Sequence, residues 1–362
     1  MGDLGKHPDT IVHDQQPLNV ESPLGPLRES FLTPTELFYI RSHGTIPEVA
    51  PTSYRLLVSG MVERPLGLSL EEIRDEFSKS TVTATLQCAG NRRQGLMEAY
   101  PIPGEISWGA GAIGNARWTG VPLREILLAA GVEEGARHVA FVGLDEIEEG
   151  YSPNYGSSIP LKKGTGSEVL LAYEMNDESL RPEHGFPLRA MVPGYIGARS
   201  VKWLSRITLQ DTPSDNYFQA RQYKLFPPYV TEEPDDVSEG FALGEISVNA
   251  VTCRMTDGAT IQAGIVTFQG YAIAGGGRDI ERVDLSPDEG QTWVGATLSE
   301  GGDDPWAWSF WEATLELEPG PHQIVVRALD SAADTQPQDA RGVWNVKGYV
   351  NNAWHRVGVN EQ

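Results

Sequence analysis

The stretch TLQCAGNRR, residues 85–93, ends a segment in which apolar and polar side chains alternate. The alternation over residues 81–88 puts Cys88 on the apolar face, which is the pattern of a half-buried β-strand. Gly90 and Asn91 predict a tight turn directly after the strand. Two arginines follow this turn, so a lone cysteine is placed at a strand end beside two cations.

Cys88 has two interpretations that the residues alone leave open. Free cysteine is among the most buried residue types and usually packs as a small apolar side chain. Nearby cations would instead lower the pKa of its thiol and favour the thiolate that a nucleophile or a metal ligand requires. The other cysteine, Cys253, lies in a segment without such neighbours and is interpreted as a core residue.

Length and composition exclude several classes of protein. The 362 residues are more than one hydrophobic core usually organises, so two domains are expected. The 50 acidic and 28 basic residues give a net charge of −22, which argues against a nucleic-acid binder. No apolar stretch approaches the roughly 20 residues of a membrane-spanning helix, so no membrane span is predicted. Two cysteines are too few for a disulfide framework or a thiolate zinc site.

Local signals predict an α+β arrangement over the first part of the chain. The segment TPTE, residues 33–36, has the N-cap, proline and glutamate of a helix start, and this helix would stop before Gly44. Other predicted elements are a helix from the capping box at Ser69, a helix over 122–130 and a buried strand over 138–144. Neither GxGxxG nor a P-loop occurs, so a nucleotide cofactor has no support.

The last part of the chain has a different character. From about Gly244, short strand patterns alternate with turn residues and no helix pattern appears. This spacing is typical of a β-sandwich, and we expect an immunoglobulin-like one. The acid- and proline-rich stretch 227–236 is the expected linker. The predicted organisation is an extended arm over 1–34, an α+β domain over 35–240 and an all-β domain over 241–362.

Eight of the 28 basic residues gather in short segments beside turns and strand ends. In an acidic chain this grouping suggests a site for an anion, although solvated surface partners of the surplus carboxylates explain it equally well. His43 and His184 are candidate ligands or bases, but a lone histidine is more often structural. The eight basic residues are Arg41, Arg92, Arg93, Arg189, Arg199, Lys202, Arg221 and Lys224.

Segments along nearly the whole chain resemble the sulfite oxidase family of molybdenum enzymes, in the family's order. The resemblance implies a sulfite-oxidase-type molybdopterin-binding catalytic domain, followed by an immunoglobulin-like dimerisation domain, assembled as a homodimer. It favours a metal ligand over a core residue at Cys88. The matching segments are FYIRSHGTIP (38–47), TLQCAGNRR (85–93), GLD (143–145), YGSSIP (155–160), HGFPLR (184–189), GYIGARSVKWLSRI (194–207), QARQYK (219–224) and NAWHRV (352–357).

The resemblance also implies a role for each matching position. Cys88 is implied to be the protein thiolate on the metal of a molybdenum–molybdopterin cofactor, and a soft thiolate suits such a metal. Arg41, Arg93 and Tyr223 are implied to line the pocket of a small oxyanion and to act in catalysis. Lys347 is implied to be a further substrate residue. The positions implied to hold the pterin and its phosphate are Tyr39, Arg41, Ser42, His43, Asp145, His184, Arg189, Ser200, Val201 and Lys202.

The implied activity is the oxidation of sulfite to sulfate at an oxo-molybdenum centre ligated by Cys88. Electrons are expected to pass to an external acceptor, either a cytochrome c or oxygen, because no haem-binding segment is visible and a haem-free enzyme is expected. No export signal is visible at the N-terminus. A cytoplasmic location is therefore expected, or a periplasmic one if a signal has been removed.

Other activities remain open at this point. A nitrate reductase uses a similar molybdenum domain, but Ala198 and Tyr223 favour sulfite as substrate. A reductase of sulfoxides or other oxyanions is a second alternative, and a scaffold without metal is a third. The animal-type pattern Asn-Leu-Arg-Gly is replaced by residues 345–348, where Lys347 keeps the charge of arginine but not its bidentate fork. The identity of the substrate is therefore in question at this position.

Overall fold

The computed structural model describes residues 5–147, 152–255, 257–262, 264–299 and 304–361. Over these ranges β-strands in six sheets dominate, with short α-helices between them. The helices are α1 (Leu24–Leu27), α2 (Leu70–Glu76), α3 (Arg93–Ala99), α4 (Leu123–Ala130) and α5 (Leu161–Gly164). None of the helices in the described part of the chain is long and apolar enough to span a membrane.

The first part of the chain forms three sheets. Strand order is β1-β2-β3 in the first, β11-β10-β7-β6 in the second, where β12 also pairs with β10, and β5-β4-β13-β8-β9 in the third. Only the β4–β13 pair is parallel among these. The strands are β1 (Ile11–Gln15), β2 (Leu18–Glu21), β3 (Ile40–Arg41), β4 (Leu56–Gly60), β5 (Leu66–Leu68), β6 (Ser80–Gln87), β7 (Ile113–Pro122), β8 (His138–Val142), β9 (Gly156–Pro160), β10 (Leu170–Met175), β11 (Glu178–Ser179), β12 (Arg189–Met191) and β13 (Arg206–Gln210).

The second part is a β-sandwich preceded by a small two-stranded sheet, β14-β15. The two sheets of the sandwich have the orders β16-β18-β22-β21 and β17-β24-β23-β19-β20. The strands are β14 (Lys224–Leu225), β15 (Phe241–Ala242), β16 (Asn249–Thr252), β17 (Ala259–Ile261), β18 (Gly264–Ile273), β19 (Ile280–Ser286), β20 (Val294–Gly295), β21 (Thr297–Ser299), β22 (Ser309–Leu317), β23 (Gly320–Asp330) and β24 (His355–Glu361).

The sandwich forms because its strands alternate apolar and polar residues. Along β22, Trp311 and Leu315 are buried while Glu312 and Glu316 face solvent. The buried residues of both sheets share one core. Burial of such apolar surface is the main favourable term in folding. The predicted order of an α+β domain followed by a β-sandwich is confirmed.

The two domains are packed together, and this contact fixes the loop after Cys88. Trp308, which directly precedes β22, donates its backbone N–H to Thr85 Oγ1 on β6 (2.9 Å). Tyr271 donates its hydroxyl to the Ala110 carbonyl (2.8 Å) and accepts a hydrogen bond from Asn91 Nδ2 (3.2 Å). The turn predicted at residues 90–91 is therefore held by the second domain.

Most local predictions are confirmed, with one exception at residues 33–44. The Ser69–Glu72 capping box opens α2, and α4 stops at Gly131, which has a positive φ of 71°. The helix predicted from Thr33 is wrong. Thr33 instead exchanges backbone and side-chain hydrogen bonds with Asn115 on β7, and only one turn follows before β3 begins. Pairing with neighbouring strands outweighs the local helix signal here.

The segment predicted as an extended arm, 1–34, contains packed structure. Strand β2 lies between β1 and β3, so the N-terminal strands are joined to the segment that carries Arg41. Glu21 on β2 is buried and accepts hydrogen bonds from the backbone N–H groups of Gly109 and Gly111, each at 2.9 Å. This part of the chain therefore forms one wall of the region described below.

Acid should weaken the fold through His355. Burial, with a further contribution from Arg92, lowers the pKa of this imidazole to about 3. The unfolded chain takes up a proton there below about pH 6.5 while the folded chain does not, so this contribution to stability is lost as pH falls from about 6.5 towards 3. We expect His355→Gln to flatten that part of a profile of Tm against pH. Parallel profiles for variant and wild type would contradict this assignment.

Candidate active site

A buried pocket brings together residues from distant parts of the chain. It lies where the ends of β3 and β6 meet the short 3₁₀ turns Pro182–His184 and Gly197–Arg199. Arg93 and Lys347 are outside its lining. The predicted residues that do line it are Tyr39, Arg41, Ser42, His43, Cys88, Asp145, His184, Arg189, Ser200, Val201, Lys202 and Tyr223.

The pocket opens onto a wide groove of about 1820 Å³. Arg41, His43 and Glu183 line both spaces. The groove is therefore the solvent-facing space next to the buried residues. The shared cation and imidazole lie at the passage between the two spaces.

Cys88 follows β6, and its Sγ lies in the pocket wall. Its backbone N–H donates to the Ala112 carbonyl (2.9 Å), and its Sγ accepts a hydrogen bond from the Gly90 N–H (3.4 Å). Burial raises the pKa of the thiol, and Arg41 and Arg93 only partly oppose this. The sequence argument that nearby arginines lower the thiol pKa therefore fails for the free thiol, because desolvation is the larger effect.

The two arginines after Cys88 point in different directions. Arg92 has a positive φ of 65°, and its Nη1 donates to Asn249 Oδ1 (2.6 Å) in the sandwich. Arg93 is buried, and its charge acts on the Cys88 thiol. Arg199, another of the grouped cations, donates from its Nε to the Leu243 carbonyl (2.9 Å) and is outside the pocket lining. Only some of the basic residues grouped in sequence therefore converge.

Arg189 and Lys202 form a cationic end of the pocket. Arg189 donates to the carbonyls of His184 (2.9 Å) and Ser200 (3.0 Å), and its Nε has no partner. Lys202 Nζ donates to Ser42 Oγ (3.0 Å) and to the Glu183 carbonyl (2.9 Å). Burial, together with the charge of Arg189, lowers the pKa of Lys202 to about 7. A buried arginine and a partly buried lysine, whose hydrogen-bond partners are neutral, are arranged to receive an anionic group.

Tyr223 and His43 form a hydrogen-bonded pair beside Cys88. The Tyr223 hydroxyl and His43 Nε2 are 2.9 Å apart. Burial raises the pKa of Tyr223 to about 12. Burial, together with Arg41 and Lys202, lowers the pKa of His43 well below its ordinary value. Both side chains are neutral near pH 7, so the pair can hold or pass a single proton.

Arg93 and Lys347 meet at a carboxylate next to the pocket. Arg93 Nη2 lies 3.3 Å from Glu105 Oε2, and Lys347 Nζ lies 4.0 Å from Glu105 Oε1. Lys347 Nζ also donates to Glu233 Oε2 (2.7 Å). The predicted contact of Lys347 with substrate stays a prediction, since its ammonium is already paired with two carboxylates.

Comparisons with known proteins agree with this arrangement. Residues 43–218 match the "Oxidoreductase molybdopterin binding domain" family, and residues 241–362 match the "Mo-co oxidoreductase dimerisation domain" family. The chain is 44% identical to sulfite oxidase of Gallus gallus, over 98% of this chain and 79% of that protein. It is 41% identical to sulfite oxidase of Arabidopsis thaliana, over 97% and 94% of the two chains. The chain belongs to the sulfite oxidase family.

Other members of the wider group are less similar. Nitrate reductase [NADH] 1 of Phaseolus vulgaris is 34% identical over 96% of this chain and 42% of that protein. The crystal structure of the sulfane dehydrogenase SoxCD from Paracoccus pantotrophus superposes with a TM-score of 0.79 at 26% identity, covering 100% of this chain and 89% of that one. The chain is a molybdopterin-dependent oxidoreductase by family.

The pocket fits the molybdopterin of the sulfite oxidase family. Two buried polar atoms of its lining residues have no hydrogen-bond partner: Arg189 Nε is a donor and Glu183 Oε1 is an acceptor. A pterin with a phosphate offers both acceptors and N–H donors to such atoms. At Gly197 an added Cβ would come within 2.8 Å of the Tyr39 hydroxyl, so a larger residue at that point would force the Tyr39 side chain to shift. Cys88 would supply the thiolate for the metal.

Removal of one pocket cation should release this cofactor. We expect Lys202→Met to lower the molybdenum content of the purified protein about tenfold, because the family resemblance implies that Lys202 contacts the cofactor phosphate. The fold should survive, since repulsion between Lys202 and Arg189 is relieved. Lys224→Met is the matched control, because that ammonium bonds the Ser238 carbonyl near the surface. Full molybdenum content in Lys202→Met would remove Lys202 from the cofactor site.

Asn19 and Glu183 are among the residues of the site that were not predicted from the sequence. Asn19 Oδ1 accepts hydrogen bonds from Arg41 Nη1 and from the Ser42 N–H, each at 3.1 Å. Nothing in its segment indicates this role. Glu183 lines the pocket beside His184, and an acid adjacent to a candidate histidine is a signal that could have identified it.

Proposed function

We propose that the protein oxidises sulfite to sulfate with a molybdenum cofactor and passes the electrons to an external acceptor. The observation that carries this proposal is the joint placement of Cys88, Arg41 and Tyr223 in one pocket. A soft metal ligand, a cation and a proton-carrying hydroxyl are the groups that oxidation of a small oxyanion requires. The two sulfite oxidases reported above support the choice of substrate.

Arg41 attracts and orients the substrate. Its guanidinium remains protonated despite burial and contacts Asn19 Oδ1 and the Ser42 carbonyl, which leave other N–H groups free to face an anion. A buried guanidinium is a strong and directional partner for an oxyanion. Its orientation is fixed by a side chain from β2, which explains why the N-terminal strands belong to the site.

Tyr223 and His43 hold and transfer a proton that the reaction releases. Sulfite and water yield sulfate, two protons and two electrons, so each turnover must release protons from a buried pocket. The 2.9 Å bond from Tyr223 to His43 leads from the pocket to the groove, because His43 lines both. A molybdenum cofactor, when bound, supplies the two-electron and oxygen-transfer chemistry, while these side chains hold and move the proton.

The homodimer and the acceptor are part of the same proposal. The match of 241–362 to a dimerisation-domain family supports a dimer built through the sandwich. The groove that leads to the pocket carries Asp14, Glu48 and Glu146 on its lining, which suits docking of a basic electron carrier such as a cytochrome c. Oxygen is the alternative acceptor and needs no docking surface.

Steady-state assays on molybdenum-replete protein test the proposed reaction. Sulfite should reduce ferricyanide or cytochrome c, whereas nitrate with reduced viologen should give no turnover. The weaker similarity to nitrate reductase is in line with this expectation. Turnover of nitrate without turnover of sulfite would replace the proposed function with the alternative.

A further inference from the structure

The guanidinium of Arg93 has only one edge that another molecule can use. Its Nε donates to the carbonyls of Lys347 (3.0 Å) and Gly348 (3.2 Å), and its Nη1 donates to the Ile106 carbonyl (2.9 Å). These acceptors are backbone carbonyl oxygens, which cannot move aside by a rotation of a side chain. The Nη2 group alone faces a movable side chain, the carboxylate of Glu105.

Other groups pack closely around the same guanidinium. The Tyr349 ring lies over one side, with its centroid 5.1 Å from Arg93 Cζ. Gly90 lies against the group so closely that an added Cβ would be 2.9 Å from Nη2. The Arg93 side chain is only 4% exposed. The position that Glu105 holds is therefore the one at which this cation already faces an anionic group.

The Glu105 carboxylate has two other polar side chains near it besides Arg93. Its Oε1 lies 4.0 Å from Lys347 Nζ and accepts a hydrogen bond from Gln222 Nε2 (3.4 Å). The carboxylate is 16% exposed and lines the open groove. A small rotation toward Lys347 and the groove would expose Arg93 Nη2 without leaving the carboxylate unpaired.

We propose that Glu105 is an internal competitor for the anionic substrate: its carboxylate occupies the usable edge of Arg93 and moves toward Lys347 when the substrate binds. Lys347 then acts on Glu105 and does not contact the substrate. This inference rests on the proposed function, because sulfite is the anion that Glu105 would compete with. It makes Glu105 a residue that sets substrate affinity and selects against weakly bound anions.

Glu105→Gln in the full-length, molybdenum-replete enzyme tests the competitor role. Glutamine keeps the size of the side chain and removes its charge. The KM for sulfite should fall about tenfold while kcat changes by less than about twofold, because one repulsive and competing charge is lost at the binding step. The Kd for sulfate, measured by calorimetry on the same protein, should fall by a similar factor.

The matched control is Glu233→Gln, which removes the other carboxylate on Lys347 but leaves the pair of Glu105 and Arg93 in place. The control should change KM by less than about twofold, since Glu233 is half exposed and screened. Equal falls in both variants would overturn the proposal in favour of a general charge effect. A rise in KM or a loss of kcat in Glu105→Gln would also overturn it, because Glu105 would then be a positioning residue for Arg93.

Failure of the proposed function gives a different result. If neither protein oxidises sulfite but Glu105→Gln still binds sulfate more tightly, the reaction is wrong and the competitor role stands. If the wild type oxidises sulfite and Glu105→Gln changes neither KM nor the sulfate Kd, the competitor role alone is wrong.

Discussion

Cys88→Ser should abolish sulfite oxidation while the protein stays folded. A serine hydroxyl is a harder and weaker ligand for molybdenum than a thiolate, so kcat should fall at least about 1000-fold. The Gly90 N–H that approaches Sγ can donate to a hydroxyl oxygen in its place. The Tm should therefore change by only a few degrees, roughly what a ΔΔG of about 1 kcal/mol produces.

Cys253→Ser is the control for this experiment. Cys253 is also buried, but it packs in the hydrophobic core that the sandwich shares with the first domain, and the pocket is lined by Cys88. A hydroxyl placed in that core should cost about 1–3 kcal/mol of stability and leave turnover per molybdenum unchanged. Turnover of Cys88→Ser close to that of wild type would show that Cys88 is not the metal ligand.

Arg41→Gln should lower kcat/KM for sulfite about 100-fold, because removal of one partner from a desolvated charge pair costs roughly 2–5 kcal/mol. Most of the loss should appear in KM, since Arg41 attracts and orients the dianion before any chemistry. Glutamine can keep a hydrogen bond to Asn19, so the wall formed by β2 and β3 should persist. Steady-state kinetics over a wide range of sulfite concentration measure the split between KM and kcat.

Arg92→Gln is the matched control for Arg41. Arg92 is another buried arginine beside the Cys88 turn, but its guanidinium donates to Asn249 in the second domain. Its substitution should lower Tm and leave the KM for sulfite unchanged. An equal rise in KM in both variants would mean that long-range charge, and not contact with Arg41, governs substrate binding.

Local signals were sufficient for elements whose stability is local. The capping box at Ser69 and the glycine stop after α4 lie within single turns, and both were predicted correctly. The helix predicted from Thr33 is wrong because the hydrogen bonds that replace it come from residues far away in the sequence. Thr33 pairs with Asn115, and Lys6 Nζ donates to the carbonyls of Thr35 (2.9 Å) and Phe38 (2.7 Å), which holds this segment as a single turn.

Many of the residues that line the site could be predicted from the sequence, but the directions in which their side chains point could not. Composition and spacing indicated an anion site near Cys88, and the family resemblance supplied most of the lining residues. Neither distinguishes Arg92 from Arg93, because the positive φ of Arg92 turns its side chain to the other domain. Neither identifies Asn19 or Glu105, since their roles arise from contacts between segments far apart in sequence.

The electrostatic balance at Cys88 also required the structure. Neighbouring cations suggested a low thiol pKa, yet burial of the pocket is the larger effect and raises it. Burial depends on the whole wall, including strands from the N-terminal segment and the anchored turn after β6. A sequence motif shows which charged residues are present, but it does not show how far the folded protein shields them from water.

The stoichiometry of sulfite oxidation tests the central claim most directly. Molybdenum-replete protein is mixed with a limiting amount of sulfite and excess ferricyanide, and sulfate and ferrocyanide are quantified. We expect one sulfate and two ferrocyanides for each sulfite consumed, with no reaction in Cys88→Ser. Sulfite left unconsumed by fully metallated wild-type protein would show that the protein does not oxidise sulfite.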